Sequence, residues 1–280
     1  VADDSVSVGI PAHDNASTIG ATIASLRGQS LQEWDCFVSC DSPSTDTYDA
    51  ARAAIDGDSR FTLSVNRERP GVAANWNETL DHSSGALFKL LCADDVLYPT
   101  CLEVQRSALV EVPGAVLCAG RRRVVDAHGK VLFRDRGLKR VTGPMDLDGL
   151  IRRILKSGTN PVGEPSFVLY RSDVLRQAGG FSTKWRYTID LASYVDSLKF
   201  GPLVAIDGPV GEFRVSSSSW SAQLASQQGR EMRSMLEYAL GATATPFGAT
   251  DVMMGRARVV ASALIRRTIA MMSLRAGRDT

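Results

Sequence analysis

The chain has 280 residues, 44% hydrophobic and 22% charged, which is a globular composition with room for one large or two small domains. Its 32 basic and 31 acidic residues leave a formal charge of +1, with no overall basic footprint for nucleic acid, and no run approaches the roughly 18 apolar residues of a membrane span. Five cysteines without a C-x-x-C pair, and three scattered histidines (His13, His82, His128), point to reduced thiols and away from a zinc site.

In chain order, Val1-Ala-Asp-Asp-Ser5 lacks the basic and apolar regions of a secretory leader, so a cytoplasmic protein is expected. Residues 6–10 read as a strand stopped by Pro11. Ile19, Ile23 and Leu26 then recur at helical spacing behind a capping Ser17. Residues 36–40 read as a second strand. The turn-rich Asp41-Ser-Pro-Ser-Thr-Asp46 leads into a helix ending near Ile55. A strand at 61–65, a helix at 72–80 and a strand at 86–92 follow, and Pro99 suits the first turn of another helix. This β-α alternation predicts an α/β fold with a mostly parallel central sheet flanked by helices. The second half is less regular: a strand at 115–119, a hairpin around Gly129, an amphipathic segment at 145–155 and a strand at 166–170. A short helix then ends at Gly179-Gly180, and a helix at 187–198, a strand at 210–215 and helical pattern from Trp220 onward complete the chain.

The fourth strand carries the strongest chemical signal. Phe88-Lys-Leu-Leu-Cys-Ala-Asp94-Asp95 is an apolar run ending in two carboxylates. In an open α/β sheet, ligands bind at that end of a strand. A diphosphate beside two acids would be repelled by about 4 kcal/mol per charge pair at 4 Å and an effective dielectric of 20, and a divalent cation reverses the sign. The pair therefore fits a metal-bridged phosphate ester, the alternative being a solvated acidic turn. No G-x-G-x-x-G, G-x-x-x-x-G-K-[ST] or G-x-S-x-G motif occurs, which disfavours dinucleotide-binding, P-loop and α/β-hydrolase enzymes.

Several ordered motifs together resemble the family 2 glycosyltransferases over roughly residues 5–220. They are Val6-Ser-Val-Gly-Ile-Pro11, the segment from Gln29 to Asp41, Gly71-Val-Ala-Ala-Asn-Trp76-Asn77, Ala93-Asp94-Asp95, Gly163-Glu164-Pro165 and Gly179-Gly180-Phe181. The resemblance implies the GT-A fold and an inverting, metal-assisted transfer of sugar from a nucleotide-diphosphate donor. It implies donor contacts from Pro11, Asp41 (nucleobase), Asn77 and Asp94 (ribose), a metal ligand in Asp95 for Mn2+ or Mg2+, and a general base in Asp190. Cys40, Ile189 and Ser216 replace the Asp, Glu and His that family members often carry. Glu164, Trp185 and Trp220 are acceptor-side candidates. The expected organisation is a donor half at 1–100, an acceptor half at 101–220 and a helical extension at 221–280.

Each residue has a structural alternative. Asp41 suits a turn, Asp190 a helix N-terminus, Asn77 a solvated helix face and Glu164 a loop before proline, while a tryptophan is often packing. Arg121-Arg122-Arg123 either grips phosphates or forms a solvated face. As a helix, 251–275 puts Met253, Val260, Leu264, Ile265, Met271 and Met272 on one side and Arg256, Arg266 and Arg267 opposite. It would pack on its own domain or a dimer partner, or lie on the inner face of a membrane. The expected partners are a nucleotide-sugar and a saccharide or lipid-linked acceptor. The rival reading is a non-catalytic sugar-nucleotide-binding protein; a sugar nucleotidyltransferase would want a Gly-rich loop where Ala12-His-Asp-Asn-Ala-Ser17 stands.

Overall fold

The computed structural model describes residues 4–66, 71–216, 220, 224 and 226–276, with side chains described as far as 265. The first half alternates as the periodicity predicts: β1 (Val6–Ala12), α1 (Ile19–Arg27), β2 (Trp34–Cys40), α2 (Asp46–Ile55), β3 (Phe61–Val65), α3 (Val72–Asp81) and β4 (Leu87–Leu90). A two-residue strand, β5 (Val96–Leu97), precedes α4 (Cys101–Glu111). The second half contributes β6 (Leu117–Val125), β7 (Val131–Arg136), β8 (Gly143–Met145), α5 (Leu147–Ser157), β9 (Val168–Arg171), α6 (Ser172–Gln177), α7 (Ile189–Ser197), β10 (Leu203–Arg214), α8 (Gln228–Gly241) and α9 (Ala249–Ala276).

One sheet runs through both halves in the order β3-β2-β1-β4-β9-β6-β10-β5, with β7 on β6 and β8 on β10. β3, β2, β1 and β4 are mutually parallel, as are β6 and β10. β9 is inserted antiparallel between β4 and β6, so the sheet is mixed rather than uniformly parallel. Pro11 lies within β1 rather than stopping it. The β1–β4 ladder ends at Gly9, so the missing Pro11 N–H leaves no ladder bond unmade.

Two apolar layers cover the sheet. One places Ile19, Ile23 and Leu26 of α1, with Leu102 and Leu109 of α4, on Val8, Ile10 and Val38. The other places Leu80 of α3, Ile151 and Ile154 of α5, Val195 of α7 and Met235 of α8 on Phe88, Leu90 and Leu117. Each such side chain, fully buried, contributes about 1.5–3 kcal/mol. The helical spacing in α1 and α5 thus anchors the strands whose C-terminal ends carry the acids. The helix α9 packs on α5 and α8, with Gly255 and Val259 buried; at Gly255 a Cβ would lie 2.4 Å from Leu155 Cδ2. Met253, Val260 and Ile265 are exposed, and the side chains of Arg266, Arg267, Met271 and Met272 lie outside the described residues.

Candidate active site

The C-terminal ends of β1, β2 and β4 converge. Asp41 follows β2, is 4% exposed, and bonds through Oδ1 to His13 Nδ1 at 2.8 Å. Its backbone N–H donates to Ala12 O at 3.1 Å, so the β1–β2 ladder itself delivers it. Beside it Cys40 is buried, and burial raises its thiol to about 11, with the Asp41 charge adding. An open cleft lies at this end of the sheet between Cys40, Tyr48, Val65 and Asn66, away from the acids after β4.

The two acids after β4 occupy different surroundings. Asp95 is fully buried: Oδ2 accepts from Ser166 Oγ at 2.6 Å and Oδ1 from the Arg214 N–H at 3.2 Å. Burial pushes its carboxyl well above the usual range, and the charges of Asp94 and Glu164 push it further. Asp94 is half-buried and receives no side-chain or backbone donor from another described residue. Its carboxyl is raised chiefly by burial, with Arg214 lowering it and Glu164 raising it. Among the described residues, no three Asp, Glu, His or Cys side chains could hold a metal alone. The sequence-based expectation put the metal on Asp95; both of its oxygens accept hydrogen bonds inside the fold, while Asp94 is the partly exposed acid of the pair.

Glu164 joins this corner to Asp190. Its carboxylate is ion-paired with Arg122 Nε, and its charge raises Asp94, Asp95 and Asp190 alike. The preceding Gly163 has φ +107, and a Cβ there would lie 2.2 Å from Arg122 Nη1, so only glycine lets the guanidinium in. Asp190 sits in the first turn of α7 and is half-buried. Asn160 Nδ2 donates to its Oδ2 at 2.8 Å, and the Leu191 N–H to its Oδ1 at 2.7 Å. Burial nevertheless raises its carboxyl to about 7, helped by Glu164 and opposed by these two donors and Arg122.

Several supporting residues gave no sequence signal. Lys89, on β4, is fully buried and donates to Gln105 Oε1, Ser166 O and Val168 O at 2.8, 2.9 and 3.1 Å. Burial lowers its amine. Ser166 in turn holds Asp95 and accepts the Cys92 N–H at 3.0 Å. Glu231, from α8, accepts through Oε1 from the Arg186, Tyr187 and Thr188 N–H groups at 3.0, 2.5 and 2.7 Å. One carboxylate thus gathers the backbone donors that open α7, the role of a side-chain cap supplied from another helix. Asn160 is alike: nothing in its local sequence separates an amide that holds Asp190 from an ordinary loop asparagine.

Other expected site residues make contacts within the fold. Asn77 uses both amide atoms on Phe181, donating to its carbonyl and accepting its N–H, each at 2.8 Å. Trp185 is 6% exposed and packs its ring on Tyr238, with centroids 5.6 Å apart. Pro11 is buried in β1. Trp220 is 37% exposed; its indole donates to Arg186 O at 2.7 Å, two residues before the α7 cap. The three consecutive arginines are all ion-paired: Arg121 with Asp135 and Asp207, Arg122 with Glu164, and Arg123 with Glu212. Ser216, where the resemblance led to the expectation of a histidine, follows β10.

The mixed central sheet flanked by helices matches the GT-A glycosyltransferase fold. The chain belongs to glycosyl transferase family 2, whose model matches residues 7–179. It is 30% identical over 196 residues to the uncharacterized protein MT1568 of Mycobacterium tuberculosis, covering 66% of this chain and 59% of that one. It is 31% identical over 106 residues to the Escherichia coli UDP-Glc:alpha-D-GlcNAc-diphosphoundecaprenol beta-1,3-glucosyltransferase WfgD, covering 38% and 41%. The chain therefore spans less than two thirds of either relative. Similar solved structures include TarS 1-349 of S. aureus in complex with UDP-GlcNAc (TM-score 0.68, 13% identity, 91% of this chain and 71% of that one). Another is the mannosyltransferase PcManGT of Pyrobaculum calidifontis with GDP-Man and Mn2+ (TM-score 0.63, 17% identity, 97% and 75%).

Proposed function

We propose that this chain is the transferase unit of an inverting glycosyltransferase that moves a sugar from a nucleotide-diphosphate donor to a hydroxyl of a saccharide or lipid-linked acceptor. The observation that carries this reading is the shared electrostatic corner of Asp94, Glu164 and Asp190, in a chain of this family. UDP-sugars and GDP-mannose, the donors named for the relatives, are the first to try.

Asp41 is the nucleobase contact in this reading, with His13 fixing the direction of its carboxylate. Asp94 is the carboxylate for Mn2+ or Mg2+ in this reading, because it is the partly exposed acid of the pair and oxygen donors suit these hard cations. With no protein cage around it, most of the coordination falls to the donor's phosphates. The bound cation would neutralise the charge that builds on the departing diphosphate. Asp95 holds Ser166 and the Arg214 backbone, and so fixes the loop that presents Asp94. Asp190, oriented by Asn160, takes the proton from the acceptor hydroxyl. A lone base acting opposite the leaving group gives inversion at the anomeric carbon.

The test is to incubate the protein with a panel of nucleotide-sugars and Mn2+ and to follow release of nucleotide diphosphate. One donor should be hydrolysed slowly without acceptor, and Asp94→Asn should abolish metal-dependent donor binding. Donor binding without release, in the presence of candidate acceptors, would favour a non-catalytic nucleotide-sugar-binding protein. Binding of no donor would overturn the reading.

A further inference from the structure

We infer that the hairpin of β6 and β7 is a docking surface for an anionic lipid bilayer. Val131, Leu132 and Phe133 are consecutive on β7 and are 38%, 46% and 49% exposed. Among the described residues β7 pairs only with β6, which leaves its outer edge uncovered. Three adjacent large apolar side chains in water on an uncovered edge strand are an unusual arrangement, which proteins normally avoid.

The charge around them is as informative. Lys130, Arg134, Arg136 and Arg140 are exposed and form no ion pair among the described residues. The nearby acids are already engaged: Asp135 lies 3.0 Å from Arg121, and Asp126 accepts the His128 and Lys130 N–H groups at the hairpin turn. The Arg136 guanidinium stands 4.5 Å from the centre of the Phe133 ring. Four cations without an ion pair among the described residues, between Lys130 and Arg140 in sequence and beside the apolar trio, stand out in a chain whose formal charge is +1.

This chemistry fits a bilayer better than its rivals. Cations meet lipid phosphates while the apolar side chains enter the boundary between headgroups and acyl chains. A second copy pairing along the β7 edge would bring two basic strands together, and like charges across a strand pair are unfavourable. A soluble polyanion would use the cations but leave Leu132 and Phe133 in water. The hairpin also adjoins the acid site: Arg214 donates to Ala127 O in the hairpin turn and to Asp94 O, each at 3.3 Å. Docking of this kind does not depend on the transfer chemistry proposed above.

The experiment is sedimentation of the whole chain with vesicles of phosphatidylcholine alone or with about one third phosphatidylglycerol. The protein should bind only the anionic vesicles, more weakly as salt rises. Each juxtamembrane cation is worth roughly fivefold in binding, so Arg134→Glu with Arg136→Glu should weaken it more than tenfold. Leu132→Ser with Phe133→Ser should weaken it severalfold, and both pairs sit on exposed positions, so the melting temperature should hold. In difference spectra against the parent, Phe133→Trp should add a fluorescence signal that shifts to the blue on anionic vesicles. Absence of binding, or binding that neither pair of substitutions reduces, overturns the proposal. So does a dimer in light scattering that the serine pair abolishes, or binding of soluble polyphosphate as tight as that of vesicles and indifferent to the serine pair.

Discussion

Asn160 Nδ2 donates to Asp190 Oδ2 at 2.8 Å, and the same amide binds its own loop by donating to Gly163 O and accepting the Val162 and Gly163 N–H groups. Both polar atoms of the Asn160 side chain are therefore committed, and the loop that carries Glu164 also aims Asp190. A carboxylate held this way keeps its direction while burial raises its pKa to about 7.

That value sets a pH dependence. A base must be deprotonated to act, so kcat/KM should fall as pH drops through about 7 and level off above it. Asn160→Ala removes a bond that lowers the Asp190 pKa, and should move the inflection to higher pH. Asp190→Asn should keep donor binding and lose transfer by about 10²–10⁴-fold. A pH profile that stays flat from 5 to 8 would exclude Asp190 as the base.

The two adjacent acids should behave oppositely. Asp94→Asn should leave thermal stability unchanged and abolish Mn2+-dependent donor binding in calorimetry. Asp95→Ala leaves the Ser166 hydroxyl and the Arg214 N–H without their partner, a loss of about 1–3 kcal/mol in denaturant unfolding. Asp95→Asn, which resembles the protonated acid that burial favours, should be milder. Loss of metal binding in Asp95→Asn with full stability would return the metal to Asp95.

Glu231 lies in α8, beyond the family-matched residues 7–179, yet it gathers the N–H groups that open α7. Glu231→Ala should cost about 1–2 kcal/mol, as loss of a helix cap does. It should also lower kcat, because Asp190 stands in that first turn, and leave the donor KM unchanged. A fall in stability with an unaltered kcat would make Glu231 purely a fold residue.

Asn77→Ala removes both hydrogen bonds to Phe181 and should cost about 1–3 kcal/mol without changing donor affinity. Equilibrium dialysis with a labelled nucleotide-sugar separates this from the donor contact that the sequence motif suggests.

The sequence by itself determined the class of fold and the strand end at which acids gather. Alternating strand and helix periods predict β1 to β4 in order, and an apolar run ending in acids marks the ligand-binding end of β4, because both signals are local. Long-range features did not show in the same way. The antiparallel β9 enters the sheet between β4 and β6 through ladders to residues far away in the chain. The surroundings of each candidate site residue were decided by tertiary contact alone. Asp94 and Asp95 are indistinguishable as letters, but Ser166 and Arg214 arrive from 71 and 119 residues away to bury one of them. In the same way Phe181 engages Asn77 across 104 residues, and Glu231 reaches the start of α7 from another helix. Burial and hydrogen bonding set what a carboxylate or an amide does, and both depend on which distant segments the fold brings against it.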